Sequence, residues 1–378
     1  MERIVAEINL VSLRKNLHLI RQTAPGRRIM AMVKGNAYGH GMVTIAKALM
    51  DVDYLGVASL DEAIALRHAG VLQPIVLTCG FMTKDDLDLV LKHHIEPFMF
   101  ESYQLELLAE RFPSSKKKRK DQTEKGLNVW LEVNTGMNRL GFSPEKSVEV
   151  WRELYLKQQA GLGIESIKWV THLASSDEEN SPQTLAQIEL FSVLTEEMGE
   201  LKSVANSGAI LQYPEAHFDI VRPGKMLYGI SPIPLTFEGY QKLFPVMTLK
   251  ARIIALSIVE KGEAVGYGGK WIANRPSKIA VVSIGYGDGY PQHAPEGTPV
   301  LVRGKIVSLV GQVSMDTLMI DVSGLPGANI HDEVTLWGKD LPIEYVASVM
   351  GIPPTVLLTG MSHRVSRSIV DLESDDLM

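Results

Sequence analysis

The sequence predicts an α/β fold over residues 1–243 and a mostly β domain over 244–378. Two observations carry this. In the first part, short apolar runs rich in β-formers alternate with longer segments whose apolar residues fall three and four apart. After residue 243 the runs are short, β-rich and cut by glycine turns, at a spacing of about ten residues. The length of 378 residues suits about two domains.

The opening "RIVAEINL" alternates like a strand and fits either domain. Candidate strands follow at Ile29–Lys34, Tyr54–Ala58, Pro74–Thr78, Ile95–Phe100, Asn128–Val133, Ile167–Leu173, Lys202–Ala205 and Phe218–Arg222. Between them lie helix-patterned segments, among them Thr44–Met50, Asp61–Ala69, Lys84–Lys92 and Ser102–Arg111. "SPEKSVEVWRELYL" opens with Ser143 as a cap and Pro144 in the first turn. Eight strand–helix repeats fit a parallel barrel, although an open doubly wound sheet has the same alternation. The residues themselves show no repeat. Beyond 243, "ARIIALSIVEKGEAVGYGG", "SKIAVVSIGYGDGYP", "TPVLVRGKIVSLVGQVSMDTLMIDVS" and "DEVTLWG" read as strands and "IEYVASVMG" as a helix. The tail "DLESDDLM" reads as solvated and frayed.

Composition removes several function classes. The formal charge of −6 does not suggest a nucleic-acid surface. The five cations Lys116–Lys120 are followed at once by Asp121 and Glu124, with no aromatic residue interleaved, and read as a solvated loop. No run of about 18 uncharged apolar residues exists, so no membrane span is expected, and the N-terminus does not read as a signal peptide. Cys79 is the only cysteine. It excludes an internal disulfide, makes a reducing cytoplasm the simplest setting, and reads as a core residue.

The chemistry concentrates at expected strand ends. "AMVKGNAYGHG" places Lys34 after an apolar run and before glycines. An ordinary strand-end lysine packs its stem and keeps its head in water. A desolvated one loses proton affinity, and a neutral amine can attack a carbonyl, so the stretch also reads as a Schiff-base lysine. Tyr38 offers a phenol suited to a phosphate oxygen. "NTGMNRLG" brings Arg139, "THLASSD" His172, "ANSGA" Ser207 before a helix, and "VRPGKMLYG" Arg222 with Gly224 and Lys225. Each has a plain structural reading as a turn, cap or surface residue. Together, five polar motifs fall where a barrel would make them converge. "GYGDGYP" lacks the lysine and hydroxyl of a P-loop and reads as a loop of the β domain.

These motifs, with "GYGG", "SMD" and "SHRVSR" in order along nearly the whole chain, resemble the alanine racemase family. The resemblance implies a pyridoxal 5′-phosphate enzyme with an N-terminal (β/α)8 TIM-type barrel, a C-terminal β domain and a homodimer with shared sites. It decides the barrel against the open sheet. It implies that Lys34 carries the cofactor and serves as base on one face of alanine. Tyr267 would act on the opposite face, supplied by the partner chain. Tyr38, Ser207 and amides near Gly224 and Lys225 would hold the phosphate. Arg222 would face the pyridine nitrogen with His172 behind it. Arg139 would hold the cofactor's phenolic oxygen and contact substrate. Met315 and Asp316 of the partner would place the substrate carboxylate. The family's role would be D-alanine for peptidoglycan, in the cytoplasm.

Three positions depart from the family's usual pattern. Glu132 stands where many members carry a carbamylated lysine beside the arginine. His363 replaces a tyrosine near the phosphate, and Gln312 replaces an arginine. Other functions consistent with the residues are racemisation of serine or another amino acid, or a non-catalytic cofactor-carrying barrel. The second domain, with Tyr267 and Asp316, argues against the latter.

Overall fold

A computed structural model describes residues 3–113, 126–233 and 243–371. The cation run at 116–120 and the tail beyond 371 lie outside the described residues. Strand β1 (Ile4–Asn9) leads into helix α1 (Leu10–Thr23), and then eight strands close into a parallel barrel. They are β2 (Arg28–Met32), β3 (Tyr54–Val57), β4 (Ile75–Leu77), β5 (Ile95–Met99), β6 (Leu127–Glu132), β7 (Ile164–Val170), β8 (Lys202–Ser203) and β9 (Ile220–Val221). β2 pairs with β9, Arg28 against Ile220 and Ile29 against Val221, so no edge remains. The (β/α)8 barrel followed by a mostly β domain is therefore the observed architecture.

The helices on the outside start where capping chemistry allows. α2 (Lys34–Tyr38) and α3 (Met42–Ala48) follow β2. α4 (Leu60–His68) is capped by Ser59, and α5 (Lys84–Lys92) by a reciprocal Thr83–Asp86 box. After α6 (Ser102–Arg111) comes α7 (Pro144–Gln159), whose cap is Ser143, accepting from Lys146 N at 3.2 Å, with Pro144 in the first turn. α8 (Pro182–Thr195) and α9 (Ser207–Gln212) complete the barrel's helices among the described residues.

Alternation along each strand decides what the barrel encloses. Met30, Met32, Tyr54, Val76, Phe98, Trp130, Val170 and Ile220 form one buried cluster in the interior. Their strand neighbours Ala31, Leu55, Leu77, Val129, Leu131 and Trp169 pack outward against the helices. At the end of the barrel where the strands begin, Lys168 pairs with Glu96 at 3.1 Å, and Trp130 Nε1 donates to the same carboxylate at 2.8 Å.

The second domain is built on β10 (Met247–Val259), followed by β11 (Ala264–Val265), β12 (Trp271–Ile272), β13 (Ser277–Val282), β14 (Pro299–Val302), β15 (Lys305–Val310), β16 (Leu318–Asp321) and β17 (Glu333–Trp337). Helices α10 (Ile343–Met350) and α11 (Pro354–Thr359) precede β18 (Ser366–Val370). One eight-stranded sheet runs β13-β16-β15-β14-β17-β10-β1-β18, with β13 also paired to β10. The opening strand thus belongs to this sheet: β1 lies antiparallel to β10 and parallel to β18. No helix among the described residues is long and apolar enough to cross a membrane.

Candidate active site

The interior alternation runs off the strand ends into the cavity. Two residues beyond Met32 is Lys34, beyond Trp130 is Glu132, beyond Val170 is His172, and beyond Ile220 is Arg222. All four line one cleft of about 730 Å³ at the carboxyl ends of the strands, together with Tyr38, Arg139, Ser207, Gly224 and Lys225. That volume is ordinary for a small-molecule site. The five strand-end motifs do converge.

Lys34 starts an unusual segment. Gly35, Asn36, Ala37 and Tyr38 have φ of +63°, +53°, +54° and +50°, a turn of left-handed helix. Three of them are not glycine, at a cost of roughly 1–2 kcal/mol each. The segment keeps its own hydrogen bonds, Ala37 N to Val33 O at 2.7 Å and Gly39 N to Gly35 O at 2.9 Å. Burial pulls the Lys34 amine below the ordinary lysine range. Arg139 and Arg222 add to that, while Cys79 and Glu62 oppose it.

Arg222, 6% exposed, forms the floor. Its guanidinium donates to Ser203 Oγ and Thr171 O at 2.7 Å, to Val204 O at 3.2 Å, and to His172 Nδ1 at 3.3 Å. Burial brings Arg222 down to about 10, opposed by Glu132, so it remains a cation at neutral pH. Burial and then the charge of Arg222 push His172 down to about 3. The ring is therefore neutral and can accept from Arg222 through Nδ1. Glu132 is 5% exposed and its Oε2 has no hydrogen-bond partner among the described residues. Burial raises it to about 7, against the pull of Arg222, Arg139 and Lys34.

The opposite wall carries hydroxyls. Ser207 Oγ accepts from Gly224 N at 2.9 Å and Met226 N at 3.3 Å, which leaves its own proton to donate. A side chain at Gly224 would put Cβ 2.6 Å from the Tyr38 hydroxyl, so only glycine lets that phenol approach. Lys225 pairs with Asp177 at 2.7 Å.

The family model described as "Alanine racemase, N-terminal domain" matches residues 8–232, and "Alanine racemase, C-terminal domain" matches 246–369. The alanine racemase of Coxiella burnetii is 42% identical over 97% of this chain and 98% of its own length. The chain belongs to the alanine racemase family. Its members are isomerases. The biosynthetic alanine racemase from Pseudomonas aeruginosa superimposes with a TM-score of 0.89 at 38% identity, over 98% of this chain and 100% of that one. The alanine racemase from Bartonella henselae, described with covalently bound pyridoxal phosphate, gives 0.86 at 27% identity over 98% and 100%.

Not every expected residue reaches the cleft. Tyr267 is 70% exposed on the second domain, and Met315 is 53% exposed. Asp316 is paired with Arg364, and His363 is exposed. None of these four lines the cleft of this chain. Gln312 lines a separate cavity with Lys270 and His293. Cys79 corrects the sequence reading: it is exposed and lines the cleft, because β4 ends at Leu77 and leaves residue 79 on the loop at the mouth. Glu62 was missed. Its "SLDE" pattern signals a capped helix start, and nothing in that pattern tells that the carboxylate crosses to the turn after Lys34.

Proposed function

We propose that this chain interconverts L- and D-alanine with pyridoxal 5′-phosphate held covalently on Lys34. The observation that carries the reading is the convergence of a desolvated amine, a permanently charged arginine and a wall of hydroxyls in one cleft. The residues fit that cofactor. Ser207 has a free hydroxyl proton beside the glycine that admits Tyr38, which suits a phosphate. Arg222 offers a cation to a ring nitrogen, and Arg139, exposed on the cleft wall, suits a phenolate oxygen.

When bound, the cofactor spreads the negative charge left as the substrate Cα loses its proton. The chain decides where protons go. Lys34, with weakened hold on its own proton, would take the Cα proton on its face when one enantiomer reacts and deliver a proton to that face when the other does, the opposite face being served by the second group. Arg222 stays charged and does not readily give its proton to a ring nitrogen, so a ring held there would draw charge from the reacting carbon less strongly than a protonated one, which limits side reactions. Tyr267 serves the opposite face from a second copy of the chain, and Met315 with Asp316 of that copy place the substrate carboxylate. The exposure of all three outside their own cleft supports a shared site. We further place the D-alanine upstream of peptidoglycan assembly in the cytoplasm; the bacterial origin of the relatives and a single cysteine support that setting.

The test is direct. Purified protein reduced with borohydride should carry a pyridoxyl mass on the peptide containing Lys34. Incubation with L-alanine in heavy water should put deuterium on Cα of both enantiomers. An unmodified Lys34 with racemisation intact would remove the lysine from the scheme.

A further inference from the structure

Glu62 lies on α4, one strand–helix unit beyond Lys34. Its carboxylate accepts from three backbone amides on two loops. Oε1 receives Gly35 N at 2.7 Å and Asn36 N at 3.2 Å, and Oε2 receives Ala58 N at 3.0 Å. Its own amide donates to Ser59 Oγ at 3.2 Å, which fixes the first turn of α4 beneath it.

The placement answers a need of the left-handed segment. The first amides of any helical turn find no carbonyl within it. Here those are Gly35 and Asn36, directly after Lys34. An ionised carboxylate is a stronger acceptor for them than a neutral group. The far end is pinned by a different residue. His40, wholly buried and stacked on Tyr228 at 4.6 Å, places Nδ1 2.9 Å from both Ala37 O and Tyr38 O. Burial brings that ring down to about 4, so at neutral pH it holds a single proton for this bridge. One clamp sits at the lysine end of the turn and the other at the tyrosine end.

We propose that Glu62 is the positioning residue for Lys34: by tying the turn after β2 to the loop after β3, its carboxylate aims the lysine into the cleft. The inference deepens the proposed function and rests on Lys34 being the cofactor carrier. It has an electrostatic side as well. The groups acting on the amine are Arg139, Cys79, Arg222 and Glu62, with Glu132 on the same wall. Glu62 helps Lys34 keep its proton, so neutralising it leaves more of the amine uncharged at a given pH.

Two readouts on the cofactor-stripped full chain separate aim from chemistry in Glu62→Gln and Glu62→Ala, with urea midpoints confirming that both are folded. The first is the rate at which pyridoxal phosphate is captured on Lys34, trapped with borohydride and located by peptide mass. The second is acylation of Lys34 by acetic anhydride, a small reagent that needs no aligned approach, followed across pH. Capture should slow about tenfold or more, since misplacement of a reacting group costs this much readily. Acylation near neutral pH should hold or rise, with its profile displaced to lower pH. Capture within twofold of the parent in both variants overturns the proposal. So does a parallel fall of both rates, which would mark general damage to the cleft. If the parent itself takes no pyridoxyl group on Lys34, the cofactor reading fails. The acylation profile still reports whether Glu62 governs that amine.

Discussion

Glu132 shows what one side chain can do to this site. Its carboxyl is buried with one oxygen unpartnered, and its pKa rises from the usual carboxylate value to about 7. The unfolded chain releases this proton near pH 4.5, whereas the folded chain keeps it to about 7. Stability therefore falls as pH climbs through that window and is level above it, by about 3 kcal/mol in order of magnitude. Glutamine resembles the protonated form and should abolish the slope. Urea unfolding of the cofactor-free Glu132→Gln variant should match the parent at pH 4 and exceed it by about 3 kcal/mol at pH 8. The gain in stability should come with a loss of function. Arg139 and Arg222 share the cleft with no other buried carboxylate among its described lining residues, and Glu132 is the group that can orient Arg139, directly or through water. A variant with parental cofactor affinity, parental turnover and no pH-dependent difference in stability would strip Glu132 of both roles.

The left-handed turn α2 is the element on which the site depends, and Gly39 closes it at φ +81°. A Cβ there would lie 2.1 Å from Leu358 O in α11, so the C-terminal domain presses directly on the turn that carries Lys34. Gly39→Ala should cost about 3 kcal/mol, combining left-handed strain with displacement of α11. Gly26, at φ +73° with nothing within 4 Å, is the control, and its alanine variant should cost about 1 kcal/mol. Equal losses in urea midpoint would mean that the approach of α11 does not matter. The turn also marks where sequence reasoning ends. Short apolar runs placed the barrel strands within a few residues, since parallel strands buried on both faces read as nearly continuous apolar stretches. The strand expected at Phe218–Arg222 is observed as Ile220–Val221: Phe218 turns to φ +43°, while Asp219 still donates through its backbone to Lys202 O at 3.1 Å and accepts from Arg28 N at 3.0 Å. "KGNAYGHG" reads as a glycine-rich loop, yet Ala37 and Tyr38 adopt a conformation that their side chains oppose. The neighbouring His40 and, from farther along the chain, Glu62 and Leu358 hold it there. Cys79 was misplaced for a related reason: an apolar neighbourhood in sequence does not reveal that the strand has already ended.

At the scale of the whole molecule, the two domains are stitched by the chain itself. β1, the first strand, sits between β10 and β18 of the second domain, while α1 after it packs with the barrel. The second domain is thereby held against the barrel's active end, as the contact of Gly39 with α11 and the bond from Arg367 Nε to Gly39 O at 2.7 Å illustrate. That same domain carries Tyr267, Met315 and Asp316 outward rather than into its own cleft. In the two-fold pair proposed above, every cleft would take its lysine from one chain and its phenol from the other. The consequence is numerical. Lys34→Ala and Tyr267→Phe should each be nearly inactive alone. Unfolded together in equal amounts and refolded, about half of the dimers are mixed, and each mixed dimer holds one intact site of its two. Activity should return to about a quarter of the parental value. If instead lysine and tyrosine of one site belonged to the same chain, every site in the mixture would lack one of them, and no activity would return.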